Sequence, residues 1–475
     1  MTNKAIVNFG GPFPYDKSFR GQMVVMGDLM KEAVNRKMTS LAITNSYAER
    51  CELAARTEPH RASICKSAFS SGLAFRYKDD FDNARREHRL SALKGKGGAE
   101  RPWLRFYGME EVQKLLETHK TVYYFMHYYN SRYQDAETFS QAVKQAGMCG
   151  RMKAYYFIHI TPEQLIEDNS DGGWMMSRKT EDTVRRLMNA IRNDCFERFI
   201  AVSEATKTSW LERIERFGYP TREAEEKIRA VPNGIDTNLY HEMVQDAKQI
   251  EKEREALGFG KNVRKIVLVM TRPSISKGID RIVDVLARCN ASTDADIRRI
   301  GFLVALPDSE GTSEFVEILG EMDNLIRERR IRVTQDLSKI LRGREELMSD
   351  FEVIQALNPV SYEAEPFYTP PIKYPLTYVS DVLLHMPHAE AFGLVVAEAL
   401  LSGCSVITTA AGGVPEVIGN ASERAVAIDN CKFDIIDDAM TYIRELNRQP
   451  LPNMRLPEQF SLKNQFDRII GDDDV

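Results

Sequence analysis

The sequence predicts an α/β protein built from two doubly wound domains that face each other across a cleft. Three observations carry this. Apolar, strand-like runs alternate with amphipathic helical stretches in both halves, the pattern of parallel sheets covered on both faces. A length of 475 residues exceeds what one hydrophobic core supports. A polar, charge-rich stretch, EMVQDAKQIEKEREALGFGKN, follows AVPNGIDTNLY (230–240) and separates the two series.

In the first half the predicted strands are KAIVNF (4–9), SLAIT (40–44), TVYYFMH (121–127), KAYYFIHI (153–160) and RFIAVS (198–203). Helical patterns such as 21–34 and 137–146 lie between them. The stretch 55–108 breaks this rhythm and reads as an insertion. The second half starts with KIVLVM (265–270) and a helix over 278–289. It continues with IGFLVAL (300–306), a long helix near 313–329, SDVLLHM (380–386), SVITT (405–409) and AVAID (425–429). The expected division is 1–240, 241–455, and a last helix with a polar tail over 456–475. Two such domains form their cleft at the carboxyl ends of the strands, where open α/β sheets bind ligands.

Composition narrows the function classes. With 43% hydrophobic and 28% charged residues and a net charge of −5, the chain offers no global attraction for a polyanion. It has no apolar run of about 18 residues and no signal-peptide pattern, so a cytoplasmic protein without a membrane span is expected. Seven scattered cysteines without a CxxC fit reduced, mostly buried thiols, not a disulfide frame or a zinc site.

The charged motifs fall at strand ends. In HAEAFGLVVAEALLSG (388–403), Glu390 sits in the loop after a strand, and Gly393 opens the following helix. A glycine there lets backbone N–H groups approach a ligand, and a helix N-terminus favours an anion. Eight residues at about 100° each turn Glu398 roughly 80° away from Glu390, so the two carboxylates address different parts of one extended ligand. That arrangement does not suit a hydrolytic carboxylate pair. TRPSISKG (271–278) follows KIVLVM; Arg272 as a fork and Lys277 as a point charge suit a diphosphate, against the alternative of solvated loop charges. His127 and His159 end two strands of the first half, where a histidine can donate to a hydroxyl or move a proton, or simply pack.

Five ordered stretches resemble retaining glycosyltransferases of the GT-B fold, two Rossmann-like domains, and specifically glycosyltransferase family 4 with its E-x7-E signature. They are FIAVSEATK (199–207), VPNGID (231–236), TRPSISKG (271–278), EAFGLVVAE (390–398) and AAGGVPEVI (410–418). The resemblance implies transfer of a sugar, with retention and without an obligatory metal, from a UDP-, GDP- or ADP-linked donor to an acceptor hydroxyl. It gives Arg272 and Lys277 the diphosphate, together with the backbone around Phe392, Gly393 and Leu394. It gives Glu398 the ribose, Glu390 and His159 the transferred sugar, and Gly21 the turn that opens the first helix. At that turn the sequence reads Arg20-Gly21-Gln22, a departure from the family's Gly-Gly. The segment ALNPVSYEAEPFYTPPIKYPLTYVS is longer than the family's base-binding stretch.

The acceptor stays open between a glycan, a metabolite and a lipid-linked sugar. Within 85–107, Arg85, Arg86, Arg89, Lys94, Lys96, Arg101 and Arg105 share the stretch with Trp103, Phe106 and Tyr107, a pattern that suits a nucleic-acid acceptor as well as a solvated loop. A sugar phosphorylase or sugar-phosphate synthase is the further alternative.

Overall fold

The computed structural model describes residues 4–10, 21–43, 107–127, 134–167, 173–193, 195–235, 257–305, 312–333, 376–419, 423–446 and 458–471, with Thr237 and Arg254. The basic stretch 85–105 and the long segment before strand 380–386 lie outside these residues, as do most of the polar connection and the acidic tail.

The chain divides into two compact units, Met1–Ile235 with Gln459–Val475, and Asp236–Glu458. In the first, β1 (Lys4–Gly10), β2 (Thr39–Ile43), β3 (Thr121–His127), β4 (Lys153–Ile158), β5 (Arg198–Ala201) and β6 (Ile228–Ala230) form one sheet. Its order is β2-β1-β3-β4-β5-β6, and every pairing is parallel. Valine, isoleucine and aromatic side chains fill these strands, and from Val122 to His127 every residue of β3 is buried. Such a strand is stable only with both faces covered. One face carries Phe9, Tyr124 and Phe139 in a core that reaches Trp210.

The last helix, Leu462–Ile470, belongs to this first unit although it follows the second in sequence. Phe466 is fully buried with its ring 6.2 Å from Phe125, and Arg36 lies 4.8 Å over the Phe466 ring while pairing with Asp467. The backbone returns by Ile235 N–H donating to Phe460 O at 2.8 Å.

The motif FIAVSEATK straddles the end of β5 and the helix Glu204–Arg216. Ser203 caps that helix: its Oγ accepts from Thr206 N at 3.0 Å, satisfying a donor that the first turn leaves orphaned. Ser203→Ala is expected to cost about 1 kcal/mol, read as a lower urea midpoint with an unchanged slope.

In the second unit β7 (Lys265–Met270), β8 (Ile300–Ala305), β9 (Ile331–Val333), β10 (Val382–His385), β11 (Ser405–Thr409) and β12 (Ala425–Ile428) form the order β12-β11-β10-β7-β8-β9. All five pairings are parallel. Read from β7 onward this is the doubly wound order 3-2-1-4-5-6, whose winding reverses between β7 and β10.

Several boundaries differ from the sequence expectation. The helix expected near 313–329 is two, Thr312–Gly320 and Asp323–Arg327, broken after Gly320. Strands β6 and β9 were not expected: each has three residues and a central arginine, too short for a periodic signal. Arg332 of β9 is nonetheless buried, its guanidinium donating to the carbonyls of Leu257 and Gly258. None of the five described cysteines is in a disulfide; Cys195, Cys289 and Cys404 are buried, whereas Cys149 and Cys431 are exposed. Among the described residues no helix is long and apolar enough to cross a membrane.

Candidate functional site

In the second unit the motif residues gather outside the carboxyl ends of β7 and β10, the switch point at which open sheets take ligands. After β7 the chain turns through Thr271, Arg272 and Pro273 into a short 3-10 turn, Ile275–Lys277. Gly278 then starts the helix Ile279–Ala291. Gly278 has φ +72°, and a Cβ on it would stand 1.7 Å from Met386 O, so the two loops meet backbone to backbone. His388 N and Ala389 N both donate to Ser276 O, at 2.9 and 3.2 Å, and fasten them further.

This stitching brings Lys277 and Glu390 together. Lys277 Nζ is 2.7 Å from Glu390 Oε2, and both side chains are largely buried. His385, the last residue of β10, places Nε2 3.3 Å from the same oxygen, and Ala391 N donates to Oε1 at 3.2 Å. Burial alone would raise the Glu390 pKa, but the Lys277 charge and the His385 hydrogen bond outweigh it and hold the carboxyl well below the usual carboxylate range. The group is therefore a carboxylate at neutral pH, suited to accepting hydrogen bonds from hydroxyls and not to acting as an acid. Its loop is locked from behind. Gly413 N donates to Glu390 O at 3.1 Å, and a Cβ on Gly412, at φ +51°, would fall 1.7 Å from that oxygen.

Gly393 takes φ 94° and precedes the helix Leu394–Leu401. That helix is apolar nearly all round; Glu398 within it is only 5% exposed, and Phe392 just before it only 2%. Such a helix is core, and a carboxylate inside it has little packing reason to exist. Arg272, by contrast, is exposed, and among the described residues its guanidinium makes no hydrogen bond or ion pair. The sequence expectation grouped Lys277 with Arg272; the structure joins Lys277 to Glu390.

In the first unit His127 ends β3 and His159 follows β4. His127 Nδ1 and His159 Nε2 are 3.1 Å apart, and Phe157 stacks on both rings, at 4.1 and 5.8 Å between centroids. Burial lowers both pKa values, His159 to about 3 and His127 well below the usual range, with the neighbouring His159 adding to the effect at His127. His127 is thus packed and polar-paired at once. Gly21 is the first residue of the helix Gly21–Asn35.

Sequence reasoning missed His385, whose position at the end of a strand and five residues before Glu390 was the available signal. It also missed Asn8 on β1, fully buried, with both amide atoms lacking a hydrogen-bond partner among the described residues. Among the described residues no group of three or more His, Cys, Asp and Glu side chains could hold a metal ion.

Residues 371–455, all within the second unit, match the family of glycosyl transferases group 1. No curated protein matches the chain in sequence. Among solved structures the fold is similar to HepE of Anabaena in complex with UDP-glucose, at 16% identity and a TM-score of 0.57, covering 98% of both chains. It is also similar to an α,α-trehalose-phosphate synthase (UDP-forming) of Burkholderia vietnamiensis, at 15% identity and a TM-score of 0.55, again over 98% of each chain. A glycosyltransferase of Rickettsia africae aligns at 14% identity and a TM-score of 0.53, over 98% of this chain and 97% of that one. The chain therefore has the expected fold class, two Rossmann-like doubly wound domains of GT-B type.

Proposed function

We propose that this protein is a retaining, metal-independent glycosyltransferase of the family 4 kind, moving a sugar from a nucleoside-diphosphate donor to an acceptor hydroxyl. The single observation that carries the reading is the Lys277–Glu390 pair at the β7/β10 switch point, inside a unit whose residues 371–455 match glycosyl transferases group 1. A lysine in a backbone-fastened loop supplies a fixed positive charge, which is what a departing diphosphate needs. Arg272, exposed beside it, adds a guanidinium fork with no competing intramolecular partner among the described residues. The N–H groups after Gly393 offer an anion the end of a helix dipole. Glu390 then accepts from hydroxyls of the transferred sugar, and Glu398 from the ribose. His159 serves a sugar hydroxyl as a neutral imidazole. With the donor bound, the diphosphate and Glu390 share Lys277, so the charge that orders Glu390 also holds the leaving group.

A uridine diphosphate donor is the first to test, because HepE is solved with UDP and with UDP-glucose. The likeness to an α,α-trehalose-phosphate synthase (UDP-forming) keeps a sugar-phosphate synthase as the second reading.

The test is thermal unfolding with UDP, GDP, ADP and their sugar conjugates, with and without EDTA. A ligand at 100 times its Kd stabilises by about 2.7 kcal/mol, readily seen as a higher Tm. The expected result is a shift with one nucleotide class that survives EDTA and disappears in Arg272→Ala. No shift with any of them would sink the donor-site reading.

A further inference from the structure

The hydrogen bond between the two histidines of the first unit has a consequence for the chemistry His159 can perform. A neutral imidazole carries one proton, so across the 3.1 Å contact one nitrogen donates and the other accepts. Two arrangements satisfy this. In the first, His127 donates from Nδ1, its Nε2 is a bare acceptor, and His159 must carry its own proton on Nδ1. In the second, His159 donates from Nε2 and His127 must carry its proton on Nε2.

The surroundings of His127 distinguish them. Its Nε2 is buried and has no hydrogen-bond partner among the described residues. A buried N–H without a partner is rarer and more costly than an unused lone pair, which disfavours the second arrangement. A charged pair is disfavoured too, because burial lowers both pKa values. Rotation of the rings is opposed by Phe157, which stacks on His127 at an interplanar angle of 24° and on His159 at 13°. On His159 the other nitrogen, Nδ1, has no partner among the described residues and is left for a ligand.

We infer that His127 is a positioning residue that fixes His159 in its Nδ1–H tautomer, so that His159 presents a ligand hydroxyl with a hydrogen-bond donor and not with a general base. The hydroxyl as ligand rests on the proposed function; the tautomer does not. The partner on the other nitrogen is what sets the tautomer of an imidazole. A neutral donor of this kind recognises a hydroxyl oxygen as acceptor and takes no proton from it.

Long-range proton–nitrogen NMR of the full chain labelled with ¹⁵N-histidine reads tautomers directly, with His159→Gln identifying the His159 signals. The expected spectrum has His159 protonated on Nδ1 and bare on Nε2 across pH 6–8. His127→Asn keeps an amide N–H in the place of Nδ1 and is expected to keep that pattern. His127→Phe keeps the stack on Phe157 but removes the donor, and is expected to shift His159 toward the Nε2–H tautomer that free histidine favours. If donor turnover is detected, kcat/KM should fall at least tenfold in His127→Phe and recover largely in His127→Asn. A wild-type His159 protonated on Nε2 overturns the inference without recourse to any variant, and so does an unchanged pattern in His127→Phe. The expected tautomers in a protein that binds no nucleotide sugar would uphold the positioning role and reject the glycosyltransferase reading.

Discussion

Replacing Lys277 with methionine is expected to abolish most of the proposed sugar transfer and to lower the stability of the second unit by about 3 kcal/mol at pH 7. The reason is electrostatic. Lys277 is the 2.7 Å partner of a carboxylate that is only 9% exposed, and without it that charge stays buried with His385 and one backbone N–H as support. Glu390→Gln removes the charge but leaves Lys277 less fully buried than its partner, so a smaller stability loss is expected, with the same loss of activity. The double variant Lys277→Met/Glu390→Gln should recover much of the stability while staying inactive, because no buried charge is left unpaired.

The pH dependence follows with a definite sign. The folded-state pKa of Glu390 lies below its unfolded value of about 4.3, so the group's contribution is present above that pH and is lost as pH falls through the folded pKa. In Lys277→Met burial dominates and raises that pKa instead. The stability gap between wild type and variant should therefore be widest near neutrality and close as pH drops below about 5. Urea titrations at pH 7, 5 and 4 measure this. An equal gap at all three, or near-normal turnover in Lys277→Met, would remove the pair from the site.

Gly278→Ala and Gly412→Ala are expected to be the most damaging single-methyl changes in the second unit. Each glycine has a positive φ, and each would place its new Cβ 1.7 Å from a backbone oxygen, Met386 O and Glu390 O respectively. Backbone, unlike a side-chain end, cannot swing aside, so Gly278→Ala must part the Lys277 loop from the Glu390 loop, and Gly412→Ala must part the Glu390 loop from the loop after β11. We expect a loss of about 4 kcal/mol for each, at the upper end of ordinary substitutions, together with loss of transfer. Gly218→Ala is the control: φ is +76°, but nothing lies within 4 Å of the added methyl. It should cost only the left-handed penalty of about 1–2 kcal/mol. Equal losses in all three variants would show that conformation alone matters and that the loops are not in close contact.

Much of this was legible in the residues. The β-branched and aromatic runs of β3, β4, β7 and β11 specify buried strands because their periodicity is local, and local patterns survive in a sequence read without its fold. The position of Glu390, Gly393, Arg272 and Lys277 just beyond strand ends was equally readable, since it depends only on where a strand stops. Neither β6 nor β9 was, because three residues around an arginine carry no period. Nor was the return of Leu462–Ile470 to the first unit, which depends on Phe466 and Arg36 meeting across more than 400 positions of chain.

The sequence by itself determined two doubly wound domains and a set of charged residues at the right edge of the second sheet. Only the tertiary structure decided which charges meet. It joined Lys277 to Glu390 across 113 positions and left Arg272 in solvent. It also set His127 against His159 and brought His385 to the carboxylate. Contacts of that range are fixed by strand order and by the close approach at Gly278 and Gly412, and neither leaves a periodic trace in the chain.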